Sequence, residues 1–208
     1  MNVLRQHWFD IGFVLALIVG AFLIVSHVSP LSWLLWGSLL SLFLHQFEEY
    51  RYPGYFPGMM NVVMFGSKQP DRYPLNANTA LLVNVAVGWL SYLLAALFGE
   101  TLLWLGIATM LVSVGNVVAH TLLFNILGKT FYNPGLLTAL LLFLPIVVYF
   151  CWLVIQNNLA TPLDWGVGLV LGLALNYVGI LKLIDWRKDE NTQYIFPKRS
   201  LLPETRNH

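Results

Sequence analysis

Between positions 44 and 61 the chain reads LHQFEEYRYPGYFPGMMN, which places His45, Glu48 and Glu49 at the end of an apolar run. On a helix, residues i, i+3 and i+4 share a face, so one imidazole and two carboxylates meet within a single turn. A second imidazole, His120, ends another polar series, Thr109, Ser113, Asn116 and His120, at spacings of four, three and four. Two imidazoles and two carboxylates suit a divalent transition metal such as zinc, iron or manganese. His45 and His120 would supply nitrogen, Glu48 or Glu49 would complete the shell, and the other carboxylate would act as a general base or second ligand. Low dielectric disfavours two adjacent carboxylate charges unless a cation compensates. A metal is one compensation, and Arg51 is another. A blander reading stands beside this one: Glu48 to Tyr52 as an interfacial belt of charged and aromatic residues, and His120 as a helix-packing hydrogen bonder.

The elements that must position these groups lie in a membrane. Of 208 residues 58% are apolar and 10% charged, whereas soluble domains carry about a quarter charged residues. A single cysteine, Cys151, excludes an internal disulfide, and a net charge of +1 gives no basis for nucleic-acid binding. Arg5 followed by the apolar run Ile11 to Val25 resembles a signal peptide but lacks its small-residue cleavage pattern, so it reads as a retained helix. A membrane helix needs about 20 mostly apolar residues. Six stretches qualify, at about 11–27, 31–49, 79–98, 102–124, 134–155 and 163–184, separated by the turn sequences SHVSP, FGET, YNPG and NNLATP and by the long segment 50–78.

Six spans put both termini on one side. All eleven Lys and Arg fall on that side, so the positive-inside rule places both termini in the cytoplasm. The expectation is therefore an all-α, multi-pass protein of the cytoplasmic (inner) membrane. Its single domain, 1–208, has a cytoplasmic or interfacial loop at 50–78 and a loosely ordered polar tail at 185–208.

Small and polar residues mark helix faces turned toward other helices. Ser38, Ser41, His45 and Glu48 form one stripe on the second helix, and the series ending at His120 forms another on the fourth. Asn84, Gly88 and Ser91 mark the third helix, and Gly168, Gly172 and Asn176 the sixth. The first and fifth helices have almost no polar groups in mid-span and are expected to face lipid. At about 1.5 Å rise per residue, His45, Glu48, His120, Asn84 and Asn176 fall near one depth, that of a site in the inner leaflet. Asn84, Asn116 and Asn176 would then orient the ligating side chains or contact substrate. The segment 52–78, with Pro53-Gly54, Pro57-Gly58 and the apolar MMNVVMFG, reads either as a lid over the site or as a membrane-hugging connection.

The stretch His45-Gln46-Phe47-Glu48-Glu49 with its following Pro-Gly turns resembles the signature of the HXXEE family of small multi-helix bacterial and archaeal membrane proteins. Asn116 to His120, and Tyr132-Asn133-Pro134-Gly135 with Thr138 and Pro145, fit the same family in the same order, over roughly Ser38 to Pro145. The resemblance implies a shared site built from His45, Glu48, Glu49, Asn116 and His120, with Tyr132 and Asn133 beside it, and supplies no substrate. Three functions fit these residues. The first is a metal-dependent membrane enzyme, a hydrolase of a lipid or small hydrophobic molecule, with Glu48 and Glu49 catalytic. The second is a proton-coupled transporter or permease using the same carboxylates and His120. The third is a non-catalytic membrane assembly partner docking through the Gly12, Ala16, Gly20 face of the first helix.

Overall fold

The computed structural model describes residues 2–205; Arg206 and His208 lie outside them. Among the described residues every regular element is a helix. The long ones are α1 (Asn2–Val25), α2 (Pro30–Tyr50), α4 (Ala77–Phe98), α5 (Leu103–Gly128), α6 (Leu136–Gln156) and α7 (Pro162–Trp186), and the short α3 (Phe56–Met59) runs on into a wide turn, Met60–Met64. Local sequence sets the ends. Ser29 caps α2 just before Pro30 by accepting from Ser32 N, and Asn76 caps α4 by accepting from Asn78 N and Thr79 N. Thr161 and Asp164 form a reciprocal capping box around Pro162 at the start of α7. Lys129, in the left-handed region at φ 48°, stops α5.

Among the described residues five helices, α1, α4, α5, α6 and α7, are long and apolar enough to cross a membrane. The 21-residue α2 is long enough as well, but His45, Gln46, Glu48 and Glu49 dilute its hydropathy. Two-thirds of α2 is buried, against α1 on one side and α4 and α6 on the others, while α7 lies along α5. Gly168 and Gly172 make that last contact possible, since a methyl group on either would come within 2.7 to 2.8 Å of Ile107 or Leu111.

Several expectations need correction. The first helix begins at Asn2, because Trp8 and Phe9 bury their rings against Tyr50 and draw the segment before Ile11 into the bundle. The outer faces of α1 and α6 are mostly exposed, as expected, but α7 and α4 are more exposed still, since close glycine packing seats one narrow face of α7 and leaves the rest uncovered. The Gly12, Ala16, Gly20 face of α1 is occupied inside the molecule, where Trp89 and Phe43 approach Gly12 and Leu40 approaches Gly20.

The segment 185–205 is not a loose tail. Its few apolar residues decide this: Phe196, Leu201 and Leu202 are buried, Phe196 N donates to Asp71 O at 2.7 Å, and Tyr194 O accepts from Ala77 N at 2.9 Å. Leu201 crosses so close to α3 that a methyl group on Gly58 would lie 2.7 Å from its Cα. That clamp holds α3 inside the end of the bundle where both chain ends gather, with Met59, Met60 and Asn61 buried.

Turns of π-helix interrupt four long helices at Leu82–Trp89, Ala119–Leu123, Ala139–Phe143 and Tyr177–Lys182. Each widened turn rotates the side chains that follow relative to a regular helix, and such turns cluster at functional sites. His120 sits in one of them.

Candidate metal centre

His45 and Glu49, one turn apart on α2, face His120 on α5. The imidazole rings stand at 89° with centroids 4.8 Å apart, and all three residues are buried. Glu49 Oε1 lies 3.3 Å from His120 Nε2 and 3.6 Å from His45 Nε2, and one ligand atom from each residue falls within 4.8 Å of the other two.

The hydrogen-bond network assigns both histidine tautomers. Asn133 Nδ2 donates to His120 O (2.7 Å) and Asn125 Oδ1 (2.8 Å), so its Oδ1 accepts from His120 Nδ1–H at 2.6 Å. Thr138 Oγ1 donates its one proton to Glu48 Oε2 at 2.6 Å, in preference to Gly135 O at 3.2 Å, and therefore accepts from His45 Nδ1–H at 2.9 Å. Each Nε2 is left with a bare lone pair, and among the described residues His45 Nε2 has no hydrogen-bond partner. Two lone pairs and a carboxylate oxygen thus converge in a buried space with no donor among them. One added proton satisfies a single pair of these acceptors. A divalent cation satisfies all three, and tetrahedral bonds of about 2.0–2.1 Å separate neighbouring ligand atoms by about 3.3–3.4 Å. The spacing around Glu49 Oε1 already approximates that geometry.

Glu48 does different work. Its carboxylate accepts from Tyr132 Oη (3.0 Å), Leu137 N (3.2 Å), Thr138 N (2.9 Å) and Thr138 Oγ1. The residue before α6 is Gly135, which has no side chain to cap the helix, so Glu48 reaches across from α2 and satisfies the free N–H groups of its first turn. Glu48 is accordingly held off the three-residue cluster, and through Thr138 it fixes the ring of His45. Arg51, the alternative compensating cation, pairs with Asp10 Oδ1 at 3.2 Å, and among the described residues no Lys or Arg lies within 4.0 Å of either carboxylate.

Gly135 closes the centre from the α6 side. At φ 104° it occupies a backbone region natural to glycine, and a methyl group there would lie 2.4 Å from His120 Cε1 and 2.8 Å from His45 Cε1. From the opposite end Phe56 of α3 packs on His120 with centroids 5.4 Å apart.

The remaining candidates divide. Asn133 and Tyr132 join the centre through His120 and Glu48. Burial first, and then the Glu48 charge, push the Tyr132 phenol above its ordinary range. Asn84 and Asn116 line an apolar cavity of about 100 Å³ that shares His45 and Glu49 as part of its wall. Asn176 is not part of the centre: its amide donates to Leu111 O and Gly172 O, and its Oδ1 would meet any side chain at Gly115, so it seats α7 on α5. Sequence reasoning did not give Thr138 or Gly135 a role of their own, because Thr138 lies 93 positions from His45 and no helical period links them. Gln46 was missed too; it ties α2 to α4 by donating to Asn84 Oδ1 (3.0 Å) and accepting from Trp89 Nε1 (2.7 Å). The Asn-Pro-Gly turn was the available signal for Gly135.

Comparison with curated proteins and with solved structures gives no match. Residues 36–150, more than half of the chain, match the family described as "Protein of unknown function with HXXEE motif". That span runs from within α2 to the second half of α6 and contains each group of the centre, His45, Glu48, Glu49, His120, Asn133, Gly135 and Thr138, so the chain belongs to the HXXEE family.

Proposed function

We propose that this protein is a metal-dependent enzyme of the cytoplasmic (inner) membrane, with six spans and both termini in the cytoplasm, hydrolysing a small hydrophobic molecule or lipid. The observation that carries the reading is the convergence of His45 Nε2, His120 Nε2 and Glu49 Oε1 with no proton donor or basic residue among them. Three protein ligands leave a fourth position open, the arrangement of catalytic rather than structural sites. Zinc, iron or manganese bound there would polarise a substrate carbonyl or activate water at neutral pH. Glu48 orients His45 through Thr138, Asn133 orients His120, and the apolar cavity beside Glu49 gives a hydrophobic substrate a dry approach. Six spans follow if α2 crosses, which its 21-residue length and its packing between α1 and α4 support. The connections 26–29, 99–102 and 157–161 carry no Lys or Arg, which supports the orientation.

Element analysis of detergent-purified protein tests the reading. Wild type is expected to hold close to one transition-metal ion per chain and a His45→Ala, His120→Ala double variant almost none. Equal and low content in both overturns it.

Proton-coupled transport has one observation in its favour, the hydrogen-bonded line from Glu48 through Thr138 to His45, which ends 3.6 Å from Glu49. Flux into proteoliposomes that needs Glu49 but no metal would select that reading.

A further inference from the structure

A line of hydrogen bonds with one fixed direction ends at Tyr50, beside the centre. Trp89 Nε1–H, which can only donate, gives to Gln46 Oε1 at 2.7 Å, and Gln46 Nε2 gives to Asn84 Oδ1 at 3.0 Å. Asn84 Nδ2 donates to Ala80 O at 2.9 Å, a carbonyl that can only accept, and to Tyr50 Oη at 3.2 Å. A donor-only group at one end and an acceptor-only group at the other fix both amides, so Tyr50 Oη accepts from Asn84 and keeps its own proton to give. Among the described residues no acceptor takes that proton. The ring is held where it is: Tyr50 is 3% exposed, with Trp8 and Phe56 packed on it at 4.8 and 6.0 Å between centroids. Buried tyrosine hydroxyls ordinarily find a partner, and Tyr50 forms part of the wall of the cavity of about 100 Å³ that Glu49 shares. Glu49 itself turns Oε1 toward the two imidazoles.

We propose that the Tyr50 hydroxyl is the hydrogen-bond donor for the carbonyl oxygen of a ligand in this cavity. An ester, amide or ketone oxygen only accepts, so it satisfies the Tyr50 proton and brings none of its own that would need a further partner. Leu42, Val83 and Leu175 on the same cavity suit the carbons that flank such a group. The assignment rests on the enzymatic reading and deepens it, because it narrows the substrate to carbonyl compounds and names the residue that binds the oxygen on which charge gathers during acyl transfer. Gln46, Asn84 and Trp89 are then positioning residues, which keep the phenol turned as a donor.

Infrared difference spectroscopy tests this on the full-length protein in detergent, with isotope-labelled butanone as the probe. A cavity of about 150 Å³ takes benzene, so one of about 100 Å³ takes a molecule of roughly five non-hydrogen atoms. Bound butanone is expected to show a carbonyl band at lower frequency than in hydrocarbon solvent. Tyr50→Phe keeps the ring and removes the proton, and should abolish that shift and weaken binding about two- to tenfold, the net worth of one hydrogen bond. Asn84→Asp keeps the phenol but replaces the donating amide by a carboxyl oxygen that accepts the Tyr50 proton, so it too should abolish the shift. That second variant decides the matter if Tyr50→Phe is poorly folded by size-exclusion elution. The same shifted band and affinity in wild type and in a folded variant overturn the proposal, as does wild type that binds no butanone. Metal content measured on the same samples separates the two claims. Wild type with the shifted band but no metal keeps the Tyr50 site and removes the metal enzyme, whereas wild type with metal but no shifted band does the reverse.

Discussion

Replacing Thr138 by valine keeps the shape of the side chain and removes the hydroxyl that accepts from His45 Nδ1 at 2.9 Å and donates to Glu48 Oε2 at 2.6 Å. Two costs follow. His45 Nδ1–H loses its hydroxyl acceptor inside the bundle, worth about 1–3 kcal/mol of stability. Glu48 loses its shortest hydrogen bond but keeps Tyr132 Oη and the N–H groups of Leu137 and Thr138, so its share of the loss is the smaller one. The centre suffers more directly, because the hydroxyl is what holds the proton on Nδ1 and the lone pair on Nε2. Loss of such an orienting partner lowers metal affinity by about 10–100-fold. Competition against a chelator of known affinity, on purified protein in detergent, reads that change, and Thr138→Ser should restore wild-type binding because it returns the hydroxyl. Should Thr138→Val bind metal as tightly as wild type, the orienting role of Thr138 and the tautomer assignment at His45 both fail.

The two adjacent carboxylates should respond in opposite ways to the same change. Glu49→Gln removes an anionic ligand and should abolish metal retention. In metal-free protein it should leave the unfolding temperature unchanged or higher, because its new amide N–H can donate to one of the bare Nε2 lone pairs. Glu48→Gln places an amide where four groups already donate, and should lower stability by about 1–3 kcal/mol in thermal unfolding while retaining part of the metal; matching behaviour of the two variants would refute their division of labour. Gly135→Ala introduces a methyl 2.4 Å from His120 Cε1 at a backbone φ of 104°. The conformation alone costs about 1–3 kcal/mol, and displacement of the rings should cut metal content to the level of the double-histidine variant; element analysis alongside thermal unfolding checks both.

Much of this protein was legible in the chain alone. Composition and the lengths of the apolar runs set the membrane class and the all-helical fold, because lipid requires every backbone group to be satisfied within a helix. His45 with Glu49 at i+4, and the stripe that ends at His120, were readable because helical period is a local property that spacing reports. What spacing cannot report is which residues from separate elements touch. The pairing of Thr138 with His45, the capping of α6 by Glu48 and the closure by Gly135 depend on how α2, α5 and α6 pack, and only that packing told the two neighbouring glutamates apart. The ordering of 185–205 was likewise hidden, since Phe196, Leu201 and Leu202 are too few to outweigh a polar segment in composition and matter only once α3 offers them a surface. Sequence thus determined the groups available for chemistry and the helices that carry them. Tertiary structure decided their roles, because hydrogen-bond direction and burial, on which tautomer and ligand geometry depend, exist only between elements brought together.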